Sequence, residues 1–296
     1  MDCDEQKGLY FSAPPCLDAG MRDAAARDPE FAALAPPDAL RPAVKALHYH
    51  SEPAQAEPFR RLPGPFAALV VSLDSPGRWR PAGAACWRPY PRIALHGLAT
   101  RWSASLPMNI GRTRRLVALI EPWAVAPLFG IPGNATVDCV VDIETKLPRW
   151  TRKLLRGHVY EHHAAGRLAA LGAAVGDLLR LSSPAQELSL FLKMARDSGG
   201  GVRIGEAARA VDIGERQLRS LVAATIGVSP KAWCSIVRFS ANLRRLHPSA
   251  FEGAPSIPPS YFDQAHEIRE FRSLAGMTPG AYRASKQGGD RRVYAA

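Results

Sequence analysis

The apolar positions change period along the chain. Between 46 and 145 they fall in short runs, 67–73 (AALVVSL), 93–98, 115–120 and 136–143, separated by Pro, Gly and Asp. Runs of that length bounded by turn residues predict β-strands, here a small antiparallel sheet domain. Trp79, Trp87, Trp102 and Trp123 all lie in this region and can build an aromatic core or line a pocket. From 146 to 196, Trp150, Leu154, Leu155, Leu168, Leu171, Val175, Leu178 and Leu179 recur at steps of three and four, which predicts helices. Ser183-Pro184 predicts a helix start, with Ser183 as N-cap and Pro184 in the first turn, and the run 198–201 (SGGG) predicts its end. Before 46, Pro14-Pro15 and Pro36-Pro37 interrupt any long helix. A loosely held arm is expected there, with room for one short helix over 18–34.

The C-terminal third is patterned more finely. Residues 204–211 (IGEAARAV) predict a two-turn helix, 212–214 (DIG) a tight turn, and 215–224 (ERQLRSLVAA) a second helix. Two short helices joined by a three-residue turn with Gly fit a helix-turn-helix. Its second helix presents Arg216, Gln217, Arg219 and Ser220, while Leu218, Leu221 and Val222 point inward. Arg pairs with guanine edges and Gln with adenine edges. Ser229 caps a long helix over 230–246 that carries Arg238, Arg244 and Arg245. Asp263 opens another helix, from 264 to about 274. Its polar front holds Gln264, His266 and Arg269, and by period Ala265, Ile268 and Phe271 face a core. Thr278-Pro279 starts one more.

Composition narrows the partner. A formal charge of +11 over 296 residues suits a polyanion, and 47% hydrophobic content supports ordinary cores in two domains. Five cysteines, Cys3, Cys16, Cys86, Cys139 and Cys234, lack CxxC spacing and read as reduced thiols. No early apolar run has a basic flank and a cleavage site, and no apolar stretch approaches roughly 18 residues. A cytoplasmic protein without membrane spans is expected.

The runs GERQLRSLVAATIGVSPKAWCSIVRFSANLRRL and YFDQAHEIREFRSLAGMTPGAY resemble the tandem helix-turn-helix domain of the AraC/XylS transcription regulators. The usual signature there is a run like DQxHFxxxFRxxxGxTPxxYR. The resemblance covers about a third of the chain. GVSP and GMTP each follow a recognition helix, as in the family. It implies that Arg216, Arg219 and Ser220 read one major-groove segment and that Gln264, Ala265, Ile268 and Arg269 face the next. Arg238 would touch phosphate from the linker helix. The implied partner is double-stranded promoter DNA, with RNA polymerase as a further partner of an activator. The run 120–144 (IEPWAVAPLFGIPGNATVDCVVDIE) resembles part of the sensing region in one subgroup, implying an N-terminal module that binds a small-molecule effector or forms a homodimer. No cofactor is implied.

The expected fold is α+β. An Ala/Pro-rich arm (1–45) precedes a β-rich sensor or dimerisation domain (46–145) and a helical connector (146–182). A tandem helix-turn-helix domain with a linker helix (183–289) and a tail (290–296) follow. The chain departs from the family at Gly214 (usually Ser), at Ser220 and Val222 (usually Arg and Phe) and at Glu267 (usually aromatic or Leu). Glu267 is expected to turn to solvent, because a buried lone carboxylate is costly. The bracing helix of the second unit should span 249–259, yet Pro255, Pro258 and Pro259 lie there, and an interior Pro costs about 3 kcal/mol. An irregular loop is expected, with a less firmly aimed distal reader. This leaves an alternative: a ligand-binding or protein-interaction protein with a degenerate second unit and weak DNA binding.

Other patterns carry less. His158 and His162 share a helix face beside His163, but no third ligand and no HExxH accompany them, and the spacing of His48 and His50, which could bind a metal, is generic. Arg112, Arg114 and Arg115 read as a solvated turn, or as a contact to DNA or an acidic ligand. Arg291-Arg292 adds non-specific phosphate attraction. Trp233 reads as core of the linker helix. GxxxxGKS/T, GxSxG and a Cys/His nucleophile pair are all absent, and no enzyme is expected.

Overall fold

The computed structural model describes residues 30–54, 57–108, 111–157, 163–178, 183–248 and 257–286. Ten strands form its N-terminal part: β1 (Phe31–Leu34), β2 (Val44–Pro53), β3 (Phe59–Arg61), β4 (Ala67–Ser72), β5 (Arg78–Pro81), β6 (Arg88–Pro89), β7 (Ile93–His96), β8 (Ser103–Leu106), β9 (Arg112–Ile120) and β10 (Val140–Asp142). They make two sheets, ordered β1-β2-β9-β4-β7-β10 and β3-β8-β5-β6, with every pair antiparallel. The helices are α1 (Val125–Phe129), α2 (Arg149–Gly157), α3 (Ala164–Leu178), α4 (Gln186–Asp197), α5 (Ile204–Ala210), α6 (Glu215–Ile226), α7 (Pro230–Leu246), α8 (Gln264–Ala275) and α9 (Pro279–Lys286). The expected β-rich part followed by a helical part is therefore present. Among the described residues no single helix is long and apolar enough to cross a membrane.

The six-stranded sheet is covered on both faces. Leu47 and Tyr49 on β2, Leu69 and Val71 on β4 and Leu116 and Ala118 on β9 join one large core with Leu168, Leu171 and Val175 of α3. Arg167 of α3 is buried there, donating to the Tyr49 hydroxyl at 2.9 Å. The alternate residues Ala68, Val70 and Leu119 pack on the other face with Phe66, Tyr90 and Val117. Period-two alternation thus puts two different environments on one strand. Burial on both faces is why 67–71 reads as one unbroken apolar run.

Several boundaries differ from those the sequence suggests. Residues 31–34 are a strand, not the end of a helix, because β1 pairs in register with 47–50 of β2. The part of the arm before residue 30 lies outside the described residues. In 136–143 only 140–142 is strand. Asp138 sits at φ 55°, and its carboxylate accepts from the Thr100 amide (2.7 Å) and hydroxyl (2.6 Å), which holds the preceding residues in a turn. Helix α4 starts at Gln186, with Ala185 as N-cap rather than Ser183. Ala185 keeps an extended backbone (φ −52°, ψ 141°), so Pro184 precedes the first turn. Ser229 does cap α7, accepting from the Ala232 amide at 3.2 Å. Residues 257–262 carry no helix, while 249–256, with Pro255, lie outside the described residues.

Candidate nucleic-acid interface

Helices α5 and α6 meet at a turn in which Asp212 takes a left-handed backbone (φ 55°). Leu218 and Val222 bury one side of α6, and Leu221 is half-buried beside them. That fixes its rotation and leaves Arg216, Gln217, Arg219 and Ser220 exposed on the other side. Arg219 is held along the helix by Glu215, one turn earlier, through its Nε at 3.1 Å and through Nη2. Such an exposed i,i+4 pair is weak enough to be exchanged for another acceptor.

In the second unit Asp263 caps α8, accepting from the His266 amide at 2.6 Å. Phe271, Leu274 and Ala275 bury its inner face with Phe239, Leu243 and Tyr282, and Phe271 lies 5.0 Å from Phe239 and 5.7 Å from Tyr282. That rotation leaves Gln264, Ala265, Ile268 and Arg269 exposed, Ile268 by 38%. The expectation that Ala265 and Ile268 face a core is corrected, because Phe271, Leu274 and Ala275 set the helix phase. Glu267 is corrected too. It accepts from Asn242 Nδ2 at 3.1 Å and pairs with Arg245, instead of turning to solvent.

Arg238 does not stand free for phosphate. Its guanidinium binds both Glu270 oxygens (2.7 and 3.0 Å), donates to the Gly200 carbonyl (2.7 Å) and lies over the Tyr261 ring. The two side chains are 14% and 10% exposed. This ion pair, in which Nη1 faces both carboxylate oxygens, ties α7 to α8, so Arg238 is a strut of the domain. Trp233 is fully buried in α7, with Arg196 against its ring.

Both exposed helices end on the N-terminal part. Each closes at a left-handed glycine, Gly227 (φ 82°) for α6 and Gly276 (φ 70°) for α8. A Cβ on Gly227 would fall 2.5 Å from the backbone at Gly133 and Asn134, and one on Gly276 would fall 2.2 Å from the Trp102 indole nitrogen. The Trp102 amide donates to the Leu274 carbonyl (2.8 Å). Arg60 donates to the Gly276 carbonyl (3.2 Å) and stacks on Trp102. Arg196 of α4 pairs with Glu121 at 2.6 Å.

The space between the sheets is polar. Arg115 pairs with Glu52 at 2.7 Å, and the Tyr90 hydroxyl and His96 Nε2 are hydrogen-bonded. Burial pushes His48 down to about 4, and burial with nearby Arg115 pushes His50 down as well. Burial, then Arg61 and Arg115, does the same to His96. All three imidazoles are neutral at pH 7. The Arg112–Arg115 cluster is not a solvated turn but part of β9: Arg112 donates to Ser51 and Arg114 pairs with Asp74 at 2.7 Å. Among the described residues no three His, Cys, Asp or Glu side chains group as metal ligands, and His158, His162 and Arg291-Arg292 lie outside them. Sequence reasoning missed Arg60, Arg61, Tyr90 and His96, which only strand pairing brings to these sites, whereas Trp79 and Trp102 do line an opening there.

No protein-family profile matches the chain, and no curated protein matches it in sequence. Solved structures do. The fold resembles that of ToxT from Vibrio cholerae. Against an apo ToxT variant of strain SCE256 the TM-score is 0.50 at 7% identity, over 81% of this chain and 97% of that one. ToxT at 1.65 Å gives 0.47 at 9%, over 81% and 98%, and ToxT with a bound unsaturated fatty acid gives 0.49 at 7%, over 82% and 95%. At these identities the likeness to ToxT is one of fold.

Proposed function

We propose that this chain is a sequence-specific DNA-binding transcription regulator of the AraC/XylS type, acting in the cytoplasm without a catalytic step. One observation carries the reading. Two helices, α6 and α8, each bury an apolar face and present Arg and Gln on the other, and one helix, α7, joins them. Phosphate contacts would position the protein, and Arg216, Gln217, Arg219, Gln264 and Arg269 would read base edges. The charge of +11 favours a polyanion. The N-terminal sandwich is read as the effector or dimerisation module, with RNA polymerase as a further partner if the output is activation. Selection of genomic fragments by the full chain, followed by footprinting, tests this. Protection of two adjacent major-groove segments supports it. Binding without sequence preference favours the second reading, a ligand-binding or protein-interaction protein with weak DNA affinity. The absence of a helix over 257–259, the described end of the segment expected to brace the second unit, favours that rival.

A further inference from the structure

We propose that the front of α8 selects thymine: Phe262, Ala265 and Ile268 form an apolar stripe that packs on thymine methyl groups in the major groove. This deepens the DNA-binding reading above and rests on it. Phe262 stands just before the Asp263 cap and is 93% exposed, the highest value for a large apolar side chain among the described residues. A hydrophobic residue at that position usually packs on the fourth residue of the helix. Here the fourth residue is Glu267, bound to Asn242 and Arg245, so that packing is not made. Tyr261 instead sets its ring against His266 (5.5 Å between centroids), and the Phe262 amide donates to His266 Nδ1 at 3.4 Å. These contacts tie the segment to the first turn of α8. Ala265 and Ile268, three residues apart and both exposed, continue the stripe along the helix.

The surroundings of the stripe select its occupant. Arg269 and Arg272 flank it, both exposed, and their side chains have no partner among the described residues. The carboxylates of Glu267 and Glu270 are held by Arg245 and Arg238, and that of Asp263 caps the helix. The front is therefore cationic and apolar, with no free carboxylate. Duplex DNA matches both properties. Its phosphates meet the arginines, and thymine is the base that shows a methyl group in the major groove, where Phe and Ala side chains can pack on it. A cytosine amine would ask for a carboxylate acceptor, which this front does not offer. Gln264, beside the stripe, suits the adenine of such a pair. Phe262 and Ala265 also lie at the N-terminal end of the helix, the end that reaches base edges in a helix-turn-helix. The exposed side of α6 differs: Arg216, Gln217, Arg219 and Ser220 include no apolar side chain. The two helices thus select different bases, and thymine belongs to the half-site under α8.

Gel shifts with the full chain, on a site recovered from genomic fragments and footprinted, test this. Each half-site in turn carries uracil for thymine, which deletes only the methyl group. Uracil in one half should weaken binding about fourfold per methyl contacted, the scale of burying one such group, and uracil in the other half by less than about twofold. Phe262→Ala with Ile268→Ser, both at exposed positions, should bind the thymine site at least about tenfold more weakly than the parent. That variant should also bind the thymine and uracil copies alike, which a merely structural role would not produce. The proposal is overturned if uracil in neither half weakens binding, or if the double variant discriminates thymine from uracil as the parent does. A clear footprint that is blind to uracil sinks the thymine stripe and leaves the DNA-binding reading standing, whereas a chain that protects no fragment sinks both.

Discussion

Arg238 and Glu270 sit on facing helices, 32 residues apart, and close an ion pair through Nη1 with little water around it. Removing one partner of a buried pair typically costs about 3–5 kcal/mol, because the other charge is left stranded. Arg238→Ala should therefore lower the urea midpoint of the whole chain, and a variant with unchanged stability would contradict the strut. The sequence shows a basic residue on a helix but not the carboxylate that reaches it, so Arg238 reads as a phosphate contact. Glu267 misleads for the same reason, since Asn242 and Arg245 arrive from another helix. The buried histidines give a pH signature. His48 falls from an unfolded value of 6.5 to about 4 on folding. Between those values the unfolded chain binds the extra proton, so stability is full above pH 6.5 and falls as pH drops toward 4. Each such histidine contributes a slope of about 1.4 kcal/mol per pH unit. His48→Asn should flatten the acid side of a stability–pH curve. An unchanged slope would show that His48 is not buried neutral.

The helices of the first unit are legible in the sequence because their caps and cores are local. Gly227 and Ser229 bracket the joint between α6 and α7, and Leu218 and Val222 mark the buried stripe. The strands are less so. β2 (VKALHYHSEP) escapes a periodicity reading because His48, His50 and Glu52 are as buried as Leu47 and Tyr49, each matched by a strand far away in sequence. α8 falls between these cases. Its cap is local, but its rotation is set by Phe239 and Tyr282, so its front cannot be told from its back by period alone. The prolines before it suggest a poorly aimed reader, yet Arg238, Arg245, Arg60 and Trp102 all grip it. In the full chain, Gln264→Ala with Arg269→Ala should then cost specific binding about as much as Arg216→Ala with Arg219→Ala, each good base contact being worth roughly 1–3 kcal/mol. Competition gel shifts on the selected site would measure both. A distal loss under a third of the proximal one would restore the picture of a loosely aimed helix.

Across the whole molecule one apolar core runs from the sheets into the helices. Trp123, Leu128 and Ile131 cluster with Leu188, Phe191, Val222 and Ile226. A domain boundary near 183–201 is readable from the serines and glycines, but this shared packing is not, because backbone at Gly133 meets backbone at Gly227 and leaves no side-chain pattern. A fragment of residues 184–289 should therefore be helical but melt well below the full chain and without a sharp transition. A fragment as cooperative as the parent would mean that the shared core is dispensable. Gly133→Ala in the full chain should cost about 1–3 kcal/mol, the usual range for overpacking, since its methyl would sit 2.7 Å from the Thr225 carbonyl.

The two left-handed glycines that end α6 and α8 rest on one and the same body. A protein that reads DNA with two helices anchored in this way behaves as a caliper with a locked hinge. Inserting one base pair between its two half-sites rotates the far one by about 35° around the duplex, given roughly 10–10.5 base pairs per turn. The locked caliper cannot follow that rotation, so its operators should keep a single spacer length, and a one-base insertion should reduce binding to that of one half-site.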